Sequence, residues 1–124
     1  MSKSAIGKKA EKLFLALPHG KVALFRFNDS YDLKSYASGC PADFIMVKNG
    51  VTMFIEVKAS ADKEKFPKQN LDNKNQKGAS FLIDKCGGTY LYYLFSTHHN
   101  KWYILNYKDT INRKDWKWST FQTL

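Results

Sequence analysis

Cysteine is scarce in this chain of 124 residues: there are two, Cys40 and Cys86, isolated from each other. That excludes a disulfide framework or a cysteine zinc cluster. The expectation is two reduced thiols, at least partly buried, with no nucleophile motif around either. No apolar run reaches the ~18 residues that span a bilayer. The first residues, Met1-Ser2-Lys3-Ser4, hold no signal-peptide core, so the chain is expected to work in the cytoplasm, away from membranes. Repeats, low-complexity tracts and linkers are absent, as are glycine-rich phosphate loops. His19, His98 and His99 lack metal-ligand spacing and are assigned no catalytic role. Acidic residues are also few, 11 against 20 lysines and arginines, a formal net charge of +9. Such an excess on a small domain points to a polyanionic partner. Nucleic acid is the commonest one; an acidic membrane or protein stays open.

What is present supports one folded domain over 1–124. Hydrophobic residues make up 44% and aromatics 15% of the chain, enough for a core. Residues 4–17 read as a helix, with Ile6, Ala10, Leu13, Phe14 and Leu17 at helical spacing, stopped by Pro18-His19-Gly20. Residues 21–27 read as a strand and 28–41 as a long loop. Two apolar runs, 42–48 and 51–58, flank Asn49-Gly50, the strongest short-range signal for a hairpin. Residues 59–74 read as a basic loop. Residues 75–86 fit a helix with Ala79, Leu82, Ile83 and Cys86 on one face, closed by Gly87-Gly88. Strands follow at 89–96 and 101–106, around a turn at His98-His99-Asn100. The tail mixes Lys, Arg and Trp and has room for a short helix. Trp116 and Trp118, flanked by Lys114 and Lys117, either pack in the core or offer stacking surfaces to bases or a partner. The sum is an α/β domain, a central mixed sheet flanked by helices.

The hairpin carries the chemistry. A two-residue turn at Asn49-Gly50 pairs Lys48 with Val51, so Asp43 falls opposite Glu56. Lys58 lies on the same face, two residues on. Both faces of the hairpin are otherwise apolar, which places it inside a sheet covered on both sides. Cross-strand carboxylates sit ~5 Å apart and repel unless a hard cation such as Mg²⁺ joins them. A neighbouring lysine can steady a phosphoryl transition state. The bland alternative is a solvated Glu-x-Lys pair at a strand end.

Pro41-Ala42-Asp43, the hairpin and Glu56-Val57-Lys58 together resemble the PD-(D/E)XK nuclease signature. Within it the chain resembles the RecU-type Holliday-junction resolvases and, more distantly, the archaeal resolvases, from about Gly7 to Leu105. Gly7-Lys8-Lys9-Ala10-Glu11 resembles the first-helix motif that supplies an extra acid. Phe66-Pro67 and Asn75-Gln76 resemble the segment after the catalytic lysine, and Gly87-Gly88 with its strand the late core strand. The resemblance implies a restriction-endonuclease-like fold and a homodimer acting on branched or duplex DNA with Mg²⁺ or Mn²⁺. It implies Asp43, Glu56 and the Val57 carbonyl as metal ligands and Lys58 as catalytic lysine. Glu11 would act through the metal-bound water or a second metal, and Gln76 beside the scissile strand. Lys3, Lys8, Lys9, Lys12, Lys63, Lys65 and Lys68 are candidate phosphate contacts. A nuclease with another DNA target (restriction-type or nicking) and a non-catalytic basic DNA-binding module are the other readings.

Overall fold

The computed structural model describes residues 3–27, 41–71 and 77–124, with side chains from residue 5 in the first stretch and 78 in the third. Helix α1 spans Lys3–Ala16 and strand β1 Ala23–Arg26. Strands β2 (Phe44–Lys48) and β3 (Val51–Ser60) form the hairpin. Helix α2 (Lys77–Lys85) leads to β4 (Thr89–Ser96) and β5 (Lys101–Asn106). A short β6, Gln122–Thr123, which no sequence signal announces, adds to β5. The described strands form one six-stranded sheet in chain order. All neighbours are antiparallel except β3 and β4, which are parallel. Parallel strands need a long crossover, and α2 lies in it. The mixed α/β sheet expected from the sequence is therefore present.

The turn chemistry sets the register. Asn49 and Gly50 both take positive φ, 51° and 78°, as a two-residue hairpin turn requires. The pairs Lys48↔Val51, Val47↔Thr52 and Ile45↔Phe54 follow as expected. The basic loop begins later than expected, because β3 runs on to Ser60. It also contains a 3-10 turn at Lys68–Leu71.

Period-two alternation sorts side chains into two cores. One face of the sheet packs Phe44, Met46, Ile55, Val57, Tyr93 and Phe95 against Ala10 and Phe14 of α1. Phe14 is fully buried, its ring 4.8 Å from Phe44 and 4.9 Å from Tyr93. His19 Nε2 meets the Phe14 carbonyl at 2.7 Å, occupying one of the acceptors a helix end leaves open. The other face packs Tyr90, Tyr92, Leu94, Tyr103 and Leu105 against Phe66 and the tail. Trp116 and Trp118 belong here, both buried. Their indole N–H groups donate to the carbonyls of Arg113 and Asp62. Core packing thus accounts for the tail tryptophans, and the tail's helices are 3-10 turns at Tyr107–Thr110 and Trp118–Thr120.

Three expectations need correction. Cys86 is exposed rather than partly buried; Cys40 lies outside the described residues. Helix α2 turns Ile83 inward as expected and Ser80 with it, while Leu82 is exposed. The cause of the first is the helix stop. Gly88 N–H donates to Ile83 O and Gly87 N–H to Asp84 O, a Schellman closure with Gly87 at φ 87°. Cys86 falls in that closure, past the last helical turn. The hairpin is also less covered than expected: Val47 is exposed, as is Phe25 on β1 beside it.

Candidate active site

β3 outruns β2. The last pair of their ladder is Phe44↔Ile55, so from Glu56 onward β3 has no β2 partner. The expected Asp43–Glu56 pair does not form as a continued ladder. Asp43 instead sits at a bend. Its N–H donates to Ile55 O, and its Oδ2 accepts from Val57 N–H at 2.8 Å. The carboxylate takes the place that a β2 carbonyl would have filled. The reason lies just upstream, where the Pro41 carbonyl accepts from the Tyr90 hydroxyl at 2.7 Å. Ala42 is buried with Tyr90 and Tyr92. The segment is thereby tied to β4, and the ladder leaves a gap, or notch, beside β3 past Ile55.

Into that notch the fold brings the predicted acids and lysine. The Glu56 side chain is only 4% exposed, and its Oε1 is 4.0 Å from Lys58 Nζ. Burial first, then a hydrogen bond to Asp43 and the charge of Asp43, push its carboxyl up from 4.5 to about 10. Lys58 opposes the shift and Glu11 adds to it. At neutral pH Glu56 is thus protonated in the metal-free protein, and its contact with Lys58 becomes an ion pair only on proton loss. Glu11, on α1, is bridged at 3.3 Å by Arg26 at the end of β1. Its side chain is 20% exposed, so it is more than a solvated helix residue. The N–H and C=O of an extended residue point to the same side. The Val57 carbonyl therefore points to the side of Asp43, beyond the last ladder pair.

Gln76 lies outside the described residues, as does the Lys3 side chain. Lys8, Lys9 and Lys12 are exposed on α1, and Lys63, Lys65 and Lys68 on the segment after β3. The structure does not gather these lysines on one surface. Helix α1 covers one face of the sheet, while Phe66 anchors the post-β3 segment to the other. Two neighbours escaped the sequence reading. Arg26 ends a strand in an unremarkable context. The Tyr90 hydroxyl is 3.5 Å from Glu56 Oε2; burial and the Glu56 charge raise its ionisation above the ordinary tyrosine range. The parallel pairing Phe54↔Tyr90 aligns them, and that pairing is not encoded in local pattern.

Among the described residues no three His, Cys, Asp or Glu side chains converge as a metal cluster. The oxygens that could serve a cation here are those of two carboxylates and a backbone carbonyl. That fits a hard cation which keeps several waters. The buried carboxyl with a second carboxylate against it is the observation that makes the fit.

The fold that carries this notch, a six-stranded mixed sheet with two helices, matches that of a solved structure. Among solved structures the chain is similar to Hjc of Archaeoglobus fulgidus, a Holliday junction resolvase from an archaeal hyperthermophile. The TM-score is 0.55 at 16% identity, over 89% of this chain and 83% of that one. At that identity the likeness establishes the fold. It lies with an archaeal resolvase, the more distant of the two resemblances in the sequence. No family model matches the chain, and no curated protein does.

Proposed function

We propose that this protein is a divalent-metal-dependent endonuclease that hydrolyses phosphodiester bonds in branched DNA, four-way junctions foremost. The observation that carries the reading is the buried Glu56 carboxyl, held against Asp43 and Lys58 where β3 runs past β2. An uncompensated buried acid opposes folding. A site that binds a cation gives that burial a purpose.

Asp43, Glu56 and the Val57 carbonyl would hold Mg²⁺ or Mn²⁺. When bound, the metal supplies Lewis acidity toward a phosphate oxygen and lowers the pKa of a coordinated water. The protein's own groups do the rest. Asp43 is fixed in orientation by the Val57 N–H. Lys58 gives up its contact to Glu56 and donates to the phosphate, countering charge that develops on it. Glu11 accepts a hydrogen bond from the attacking water, and Arg26 holds Glu11 in place. Lys8, Lys9, Lys12, Lys63, Lys65 and Lys68 neutralise phosphates and set affinity without reading sequence. A homodimer matches a junction with two symmetric cleavage points.

The test is a labelled four-way junction and a linear duplex, each with Mg²⁺ and with EDTA. Symmetric metal-dependent nicking of the junction alone is expected. Cleavage of the duplex as well places the chain among nucleases with another DNA target. Binding with no cleavage of any DNA refutes the enzyme and leaves a basic DNA-binding module.

A further inference from the structure

Beside the proposed catalytic notch lies a cavity of about 240 Å³, with Tyr92, Tyr107, Trp116, Lys68, Ile111 and Asn112 among its lining residues. We infer that it is a pocket for one unpaired nucleobase of the DNA strand held at Asp43 and Glu56. The inference rests on the nuclease reading for its substrate, but on separate residues for its geometry.

Three observations carry it. The first is position. Tyr92 is the β4 partner of Glu56 in the parallel ladder, and adjacent strands are ~4.8 Å apart. Tyr90 joins the two places: its hydroxyl is 3.5 Å from Glu56 Oε2. Its ring stands against Tyr92 at 5.5 Å and Tyr107 at 6.4 Å. The cavity is therefore one side-chain layer from the acid that would meet the phosphate.

The second is size and lining. The volume is below the ~300–1,000 Å³ of drug-sized sites, room for a flat ring system rather than a large ligand. Three of its nine lining residues are aromatic. Trp116 and Tyr92 are almost wholly buried and make a rigid base to the cavity, while half-buried Tyr107 is the ring with surface left for stacking. Bases stack on such rings with little dependence on sequence.

The third is the polar rim. Exposed Lys68 supplies a cation for the phosphate beside the base. Exposed Asn112 brings an amide that can donate and accept along a base edge. An apolar peptide side chain would have no use for that pair. A base at a branch point can lack a stacking neighbour and then unpairs at less cost than one inside a duplex, so a pocket one layer from the cutting site favours strands whose bases are freed there.

The experiment uses the full chain without metal, so no cleavage occurs. The probes are a thymidine tetranucleotide and its abasic counterpart, equal in phosphates and differing only in bases. Binding is followed by the methyl NMR signals of Ile111 and by titration. The base-bearing probe is expected to bind about tenfold tighter, within the contribution of one stacked base, and to move the Ile111 signals; the abasic probe leaves them in place. Ile111 is half exposed, so Ile111→Trp fills the cavity from its rim without removing core packing. It is expected to abolish the tenfold preference. Equal binding of the two probes by the wild type, or Ile111 signals that ignore the base-bearing probe, overturns the pocket. An Ile111→Trp variant that folds and keeps the preference does so too. A protein that passes here yet cuts no DNA fails the nuclease reading and not this one.

Discussion

Replacing Glu56 by Gln should stabilise the metal-free protein, and by more as the pH rises. The glutamate carboxyl is pushed up to about 10 in the folded chain, from 4.5 when exposed. Between those values the folded state holds a proton that the unfolded state releases. Stability is therefore full below about pH 4.5 and falls as pH rises toward 10. The slope is about 1.4 kcal/mol per pH unit for one proton, roughly 3 kcal/mol lost by pH 7. Glutamine has nearly the same shape and no proton to lose, so it escapes that loss. In thermal melts with EDTA, Glu56→Gln should exceed the wild type by roughly 10 °C at pH 7, with a gap that narrows toward pH 5 and widens toward pH 8. Mg²⁺ should raise the wild-type melting temperature, more strongly at higher pH because binding displaces the proton, and should leave the variant unmoved. A gap that stays constant from pH 5 to 8, or a variant that melts below the wild type at pH 8, refutes the reasoning.

Phe14→Ala should lose about 3–5 kcal/mol in urea unfolding, because it empties the centre of the α1 core. Gly87→Ala should lose about 1–2 kcal/mol by the same measurement, since φ 87° disfavours a side chain. Neutralising Lys8, Lys9 and Lys12 together, or Lys63, Lys65 and Lys68 together, should weaken DNA binding for all sequences alike. It should also flatten the plot of log K against log salt by ~0.9 for each phosphate no longer neutralised, read by titration at several salt concentrations.

The hairpin was the most legible part of the chain, because its information is local. Asn49-Gly50 determines the turn, the turn determines the register, and the alternation of Phe44, Met46, Ile55 and Val57 determines the face. The site was legible as far as that register reached. The departure of Asp43 from the ladder was not, because it depends on Tyr90 binding the Pro41 carbonyl across 49 residues of chain. Arg26 and Tyr90 were missed for the same reason: their neighbours come from sheet order, not from sequence spacing. Helix α2 failed differently. The expected stripe of Ala79, Leu82, Ile83 and Cys86 overlaps the inward one on a short helix: Ile83 does face in, with Ser80, but Leu82 and Cys86 face out. Trp116 and Trp118 had two readings; burial places both in the core, with Trp118 wholly inside it and Trp116 also lining the cavity beside it.

The central claim is that Glu56 serves phosphodiester hydrolysis rather than folding. It is tested most directly by the single-turnover nicking rate of a four-way junction in Mg²⁺, with wild type and Glu56→Gln compared at equal DNA occupancy. The account predicts a rate reduced by at least about a hundredfold, the scale of removing a main charge-stabilising group, with DNA affinity unchanged and the variant more stable than the wild type. A Glu56→Gln protein that nicks the junction within a few-fold of the wild-type rate would contradict it.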